Sequence, residues 1–177
     1  MISNLEEIAK RFFMSKGYLV VENVLFFVPR EKSGKKVSGW SDIDLIAYKK
    51  GEIKIVQCKE FLGNKKISVI TKEIKKWFEF AEEFLKNESD YKELITSETK
   101  IKRCIVVNSK NPPGAIKILE REGFEIYDMD EMLKELIHSI KSREDTYRER
   151  KTGASGKELD IIRYLIKVLI DRKFLNL

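Results

Sequence analysis

Two short apolar runs, separated by a segment that contains a glycine, constrain the fold of this chain more than any other feature. Residues 43–48 and 53–58 have the length and the β-branched content of strands. The four residues between them include Gly51, which suits a tight connection. The segment therefore predicts an antiparallel hairpin.

Helices and further strands surround this hairpin. An apolar stripe at helical spacing runs through residues 4–16 and again through 67–87, whereas residues 30–39 are polar and basic and are expected to form a loop. In chain order, the expected elements are a helix at 4–16, strands at 18–29, 43–48 and 53–58, a helix at 67–87, a strand at 101–107, a helix at 112–122, a strand at 124–127 and a helix at 130–141. This order predicts an α/β fold with a mixed β-sheet flanked by helices.

The character of the chain changes after residue 141. Residues 142–157 are charged and then rich in small residues, as in a linker, whereas residues 158–172 carry an apolar stripe typical of a helix. We therefore expect one domain over 1–141, followed by a charged linker and a helical appendage over 142–177. The appendage helix either packs on its own domain or mediates dimerisation.

The composition is that of a globular protein. Of the 177 residues, 42% are hydrophobic and 36% are charged, and the net charge of +6 permits a polyanionic partner without requiring one. No apolar run approaches the roughly 20 residues that span a bilayer, and the N-terminus lacks a secretory pattern, so we expect a cytoplasmic protein with no membrane partner. Lysine and glutamate are abundant and Gln57 is the only glutamine, a tendency of thermophile proteins.

Few residues are available for disulfides, zinc binding or nucleophilic catalysis. Cys58 and Cys104 lie in strand-like apolar runs and are expected to be buried, reduced thiols. Together with the single histidine, His138, they are too few for a zinc site. We expect His138 to be structural.

Three polar residues of the hairpin can carry chemistry. Asp44 and Gln57 lie on neighbouring strands, and Gln57 and Lys59 share one face because strand side chains alternate. A carboxylate, an amide oxygen and an ammonium would then converge. Mg²⁺ prefers oxygen ligands, and a lysine can orient water and stabilise negative charge, so this combination suits metal-assisted hydrolysis of a phosphodiester.

The pattern Asp-x12-Gln-x-Lys, with an apolar strand at each end, resembles the PD-(D/E)XK nuclease superfamily. It is most similar to the Mrr-like restriction endonucleases, and its spacing is similar to that of archaeal Holliday-junction resolvases. The resemblance covers roughly residues 4–140. It implies a restriction-endonuclease-like fold with an αβββαβ core and a DNA endonuclease that depends on Mg²⁺ or Mn²⁺.

The resemblance also suggests a further acidic residue from the first helix. Glu6 lies at the edge of the apolar stripe, whereas Glu7 faces away from it, so the predicted catalytic set is Asp44, Gln57, Lys59 and Glu6. Asp44, Gln57 and Glu6 would bind the metal. Gln57 stands where the family commonly has an acid, so a catalytically inactive module that binds DNA is the alternative.

The expected partner is DNA, and coordinated cleavage of both strands would favour a homodimer. Lysines on both sides of the hairpin could contact phosphates or simply form a solvated surface. Trp40 could stack on a base or pack in the core. A metal-independent RNA nuclease of the tRNA-splicing type is a weaker alternative, because His138 lies in a late helix away from the hairpin.

Overall fold

A computed structural model describes residues 4–32, 35–60, 62, 66–87, 89–108 and 111–150, with only the backbone at 29–32, 35–38, 89 and 140–150. The elements are α1 (Asn4–Ser15), β1 (Leu19–Lys32), β2 (Lys35–Lys49), β3 (Glu52–Lys59), α2 (Ile67–Asn87), α3 (Ser89–Lys92), β4 (Lys100–Val107), α4 (Pro113–Arg121), β5 (Glu125–Asp128) and α5 (Met129–Arg150). The chain divides into two compact units, Met1–Lys134 and Glu135–Leu177. The first unit contains the sheet, and the described part of the second is helical.

The sheet is mixed and has five strands in the order β1-β2-β3-β4-β5. β1, β2 and β3 form an antiparallel meander, and β4 and β5 are parallel to β3. The predicted hairpin is present: Lys49 pairs with Glu52, and Gly51 between them has a φ of 81°, a conformation that favours glycine. The predicted α/β class, a mixed sheet flanked by helices, is therefore confirmed.

Helices cover both faces of the sheet. On one face, α2 occupies the predicted residues 67–87 and buries Ile74 and Phe78 in a core that includes Ile55. On the other face, α1 buries Phe12 and Phe13. The Phe13 ring lies 5.2 Å from that of Tyr127. These two layers hold β2 and β3, the strands that carry the candidate site.

The predicted loop at 30–39 is wrong. Except for residues 33–34, which are not described, its backbone continues β1 and β2, and the two strands remain paired out to Lys32 and Lys35. Pro29 does not end β1, because an edge strand tolerates a residue that donates no ladder hydrogen bond. Periodicity could not reveal this hairpin, since residues 30–38 carry few of the apolar side chains that produce the signal.

The regular alternation of side chains shifts where Asn23 faces Asp44. Glu22 pairs with Leu45 and Val24 pairs with Ile43, so Asn23 and Asp44, which lie between these pairs, are opposite each other. Ile43 and Ile46 both lie in the core against α2, although residues three apart on a regular strand point to opposite faces. Asn23 has a φ of 52°, so β1 is distorted at the same point. Asp44 therefore lies at an irregularity in the strand pair.

The last described helix is longer than predicted. α5 begins at Met129 and continues to Arg150, past the expected end at residue 141. The first part of the predicted linker, 142–150, is thus helical, because its charged residues are mostly good helix formers and it contains neither glycine nor proline. Residues 151–157 and the predicted helix at 158–172 lie outside the described residues, and the predicted domain boundary after residue 141 stays a prediction. No helix of the described chain is long and apolar enough to cross a membrane.

Candidate active site

The candidate site lies where β2 and β3 separate. Their last ladder pair is Leu45 with Val56. Asp44 directly precedes Leu45 on β2, and its side chain replaces the next backbone hydrogen bond of the ladder. Its Oδ2 atom accepts a hydrogen bond of 2.5 Å from the backbone N–H of Cys58. This contact fixes the Asp44 carboxylate against β3, beside the residues that were predicted to act with it.

The Asp44 carboxylate is held in surroundings that disfavour its negative charge. Its pKa is raised from 3.8 to about 6: burial is the main cause and the nearby carboxylates of Asp42 and Glu6 add to it, whereas the Cys58 hydrogen bond and Lys59 oppose it. A cation would relieve this electrostatic cost. The site is therefore prepared for positive charge.

Gln57 adds a second unusual feature. Continuing the β2–β3 register by one pair places it opposite Asp44. Its side chain is 8% exposed, and its Oε1 atom is buried without a hydrogen-bond partner. A buried amide oxygen with no donor costs stability, on the order of 1–3 kcal/mol, unless a ligand satisfies it. Asp44 and Gln57 thus offer oxygen atoms of the kind that Mg²⁺ or Mn²⁺ binds.

Lys59 lies two residues beyond Gln57 on β3 and is half-buried. Regular alternation along β3, in which Ile53 and Ile55 lie in the core, places Gln57 and Lys59 on one face; that these two side chains act together stays a prediction. The Lys59 ammonium is close enough to lower the pKa of Asp44. Lys59 and Asp44 therefore lie close enough for both to act on one bound phosphate.

Glu6 of α1 also acts electrostatically on this site, since it raises the pKa values of both Asp44 and Cys58. Glu7 instead accepts a hydrogen bond of 2.6 Å from Arg11, one turn further along the helix. This difference agrees with the helical geometry. Across the described residues, no group of three or more His, Cys, Asp or Glu side chains is arranged to hold a metal ion. Metal binding by Glu6 stays a prediction.

Both cysteines are free thiols, and Cys104 is buried as predicted. Cys58 is only half-buried, because it lies where β2 leaves β3. Burial, followed by the charges of Asp44 and Glu6, raises the pKa of Cys58 well above its ordinary value. Its sulfur is therefore a protonated thiol at neutral pH and a poor nucleophile.

A buried asparagine that holds the chain after β3 was not predicted from the sequence. Asn111 is 3% exposed, and its Oδ1 atom accepts a hydrogen bond of 2.9 Å from the backbone N–H of Leu62. Its Nδ2 atom donates to the carbonyl oxygens of Glu60 at 3.3 Å and Asn108 at 2.9 Å. Before a proline pair, an asparagine usually indicates only a turn. Here it holds the residue that directly follows Lys59.

Comparison with known protein families and with curated proteins found no match. Among solved structures, the chain is similar to the crystal structure of AF1548, a protein of unknown function. The TM-score is 0.45 and the sequence identity 19%, over 94% of this chain and 98% of that chain. This similarity is too weak to carry a functional argument.

Proposed function

We propose that this protein is a metal-dependent endonuclease that hydrolyses phosphodiester bonds in DNA. One observation carries the proposal: the half-buried carboxylate of Asp44, whose pKa is raised, lies one pair beyond the β2–β3 ladder and opposite Gln57, whose buried amide oxygen has no hydrogen-bond partner. Each feature alone destabilises the fold. Together they suit a divalent cation, which would remove both costs.

The residues of the chain divide the work of hydrolysis. Asp44 and Gln57 would hold Mg²⁺ or Mn²⁺, which when bound withdraws charge from the scissile phosphate and acidifies a coordinated water. Lys59 orients the attacking water and stabilises the negative charge that develops on the phosphate oxygens. The water oxygen bonds to phosphorus and its proton passes to the surrounding solvent, while the bond to the leaving oxygen breaks and that oxygen takes up a proton from solvent. Glu6 would supply a further carboxylate to the cation or its waters.

The sequence resemblance supports the same chemistry. The pattern of Asp44, Gln57 and Lys59 is similar to that of the PD-(D/E)XK nucleases. The residues of the segment are most similar to the Mrr-like endonucleases, and their spacing is similar to that of archaeal Holliday-junction resolvases. In that reading the substrate is DNA, and two copies of the chain would cleave the two strands of a duplex. The cysteines and His138 take no part.

Gln57 also motivates a second candidate, a module that binds DNA without cleaving it. A neutral ligand contributes less to cation binding than a carboxylate, so loss of turnover would follow if the cation bound too weakly. The raised pKa of Asp44 opposes this alternative, because a site that has lost its cation gains nothing from a buried carboxylate.

Plasmid cleavage separates these candidates. Supercoiled DNA is incubated with the protein and Mg²⁺, Mn²⁺ or EDTA, beside Asp44→Asn and the control Glu7→Gln, whose side chain pairs with Arg11 on α1. We expect nicking that needs the metal, survives in Glu7→Gln and is lost in Asp44→Asn. Binding without nicking under every condition would favour the non-catalytic module, and nicking that persists in Asp44→Asn would refute the site.

A further inference from the structure

β1 and β2 form a two-stranded ribbon that extends beyond the rest of the sheet. β3 pairs with β2 only from Leu45 onwards, whereas β1 stays paired with β2 as far as Lys35. The inner face of this ribbon is fixed to α2: the Phe26 ring lies 5.7 Å from that of Trp77, and Trp77 Nε1 donates a hydrogen bond of 3.0 Å to Ser41 Oγ. The ribbon is thus a supported part of the fold.

The outer face of the ribbon is apolar and exposed. Leu25 is 61% exposed, Phe27 is 53% exposed and Trp40 is 66% exposed. Phe27 and Trp40 are opposite each other in the register, and their rings meet edge to face at 4.9 Å. Such an aromatic pair leaves a large apolar area in contact with solvent, which lowers solubility. Surfaces of this kind commonly mark a binding site.

Along β2, this face leads towards Asp44 of the candidate active site. Trp40 and Asp44 lie four residues apart on β2, about 13 Å at the usual rise of a strand. That separation corresponds to about four base steps of a DNA strand. A nucleic acid bound at Asp44 would therefore pass the aromatic pair within a few nucleotides.

The charges around the aromatic pair favour a base over a phosphate. Asp42 is exposed and pairs in register with Leu25. A groove of about 880 Å³ adjoins Trp40 along β1, and its lining includes the carboxylate side chains of Glu83 and Asp90. Carboxylates repel phosphates, but they accept hydrogen bonds from the exocyclic amines of bases. Aromatic rings stack on any base that has left the duplex.

Resting on the endonuclease function proposed above, we propose that the ribbon face formed by Leu25, Phe27 and Trp40 binds unstacked bases, and that the preferred substrate is DNA with unpaired bases. Intact duplex offers this face no exposed ring, so it binds through its phosphates alone.

Binding measured in EDTA tests this proposal apart from cleavage. Fluorescein-labelled DNAs of matched sequence, one fully paired and one splayed into a fork, are titrated with the full chain and followed by anisotropy. The variants are Trp40→Ala, Trp40→Phe and the control Leu19→Ala, which removes a side chain that is 72% exposed on β1, the strand paired with β2, before the irregularity at Asn23. Circular dichroism and the mass in solution are recorded for each variant.

The expected result is selective for the fork. Wild type and Leu19→Ala should bind the fork more tightly than the duplex. Trp40→Ala should lose about 5- to 150-fold in affinity for the fork and little in affinity for the duplex. Trp40→Phe should retain most of the preference for the fork. Equal binding of both DNAs by wild type, or an unchanged fork affinity in Trp40→Ala, overturns the proposal. A Trp40→Ala variant that changes in mass but not in fork affinity also overturns it, since the face would then contact protein. Plasmid nicking by Trp40→Ala judges the endonuclease function separately, because Asp44 is intact.

Discussion

The Asp44 carboxylate accepts the backbone N–H of Cys58 at 2.5 Å, one residue beyond the last pair that joins β2 to β3. A side chain thus completes a hydrogen bond that the neighbouring strand would otherwise provide. The backbone N–H of Cys58 therefore has an acceptor, and the Asp44 carboxylate is held in a half-buried position. The same contact therefore serves both the fold and the proposed chemistry.

Asp44→Asn is expected to increase stability at neutral pH. The folded-state pKa of Asp44, about 6, lies above its ordinary value of 3.8, so the folded protein holds this proton more tightly than the unfolded chain. The stabilisation from the protonated carboxyl is complete below about pH 4 and is lost as the pH rises through 6. Asparagine keeps an oxygen for the Cys58 N–H without this loss.

Urea unfolding in EDTA at pH 3.5 and pH 7.5 measures the effect. At pH 7.5 the free energy of unfolding of Asp44→Asn should exceed that of wild type by about 1–2 kcal/mol, after allowance for partial exposure of the carboxylate. At pH 3.5 the two proteins should be nearly equal. A variant that is less stable than wild type at pH 7.5 would show that the carboxylate is not under electrostatic strain.

Gln57→Leu is expected to increase the stability of the protein and to lower its affinity for metal. Leucine has nearly the same size and removes the buried Oε1 atom that lacks a partner, so the free energy of unfolding should rise by about 1 kcal/mol. Mn²⁺ binding, measured by calorimetry, should weaken at least tenfold. Gln57→Glu is the matched comparison, because it returns a charged oxygen and should bind Mn²⁺ more tightly than wild type. Equal Mn²⁺ affinity in all three proteins would remove Gln57 from the site.

Asn111 is expected to act on turnover through the chain that follows Lys59. Asn111→Ala removes three hydrogen bonds to backbone atoms, including that to Glu60, and should cost about 1–3 kcal/mol of stability. It should lower kcat for DNA cleavage and leave Mn²⁺ affinity unchanged. Asn111→Asp keeps the acceptor for Leu62 N–H, so its stability and its kcat should lie between those of wild type and Asn111→Ala. A loss of Mn²⁺ affinity would mean that Asn111 holds the metal ligands as well.

A buried lysine on the α1 side of the sheet should prove structural. Lys54 is 4% exposed, forms an ion pair with Glu125 and donates a hydrogen bond of 3.0 Å to the Tyr127 hydroxyl. Despite the opposing effect of burial, hydrogen bonds from Lys102, Lys54 and Tyr127 lower the pKa of Glu125 from 4.5 to about 2. The stability that this carboxylate contributes is therefore present above pH 4.5 and is lost as the pH falls towards 2.

Lys54→Met should cost about 1–3 kcal/mol at pH 7, since Glu125 and Tyr127, both partly buried, lose one of their partners while Lys102 still pairs with Glu125. The difference from wild type should shrink as the pH falls towards 2, and cleavage by the folded variant should be unaffected. Thermal unfolding across that pH range measures it, beside the exposed Lys50→Met as control. A deficit that does not depend on pH would assign the effect to packing.

The sequence predicted the parts of this fold that depend on apolar periodicity. Helix α2 has its predicted bounds, 67–87, because its buried face repeats at helical spacing. The extension of β2 to Lys35 could not be predicted, since its backbone pairs with β1 although its polar sequence carries little apolar alternation. The shift in alternation at Asp44 was also inaccessible, because it depends on the paired distortion at Asn23. The residue types of the site were identified from sequence, but the unsatisfied oxygen of Gln57 and the hydrogen bonds of Asn111 required coordinates.

The most direct test of the central claim is the position of Mn²⁺ soaked into crystals of the protein. We predict an anomalous peak bonded to both Asp44 Oδ and Gln57 Oε1, at distances of about 2.1–2.3 Å, that is absent from crystals of Asp44→Asn. A peak elsewhere in wild type, or no peak at millimolar Mn²⁺ while the plasmid is still cleaved, would contradict the claim that these two residues share one metal ion.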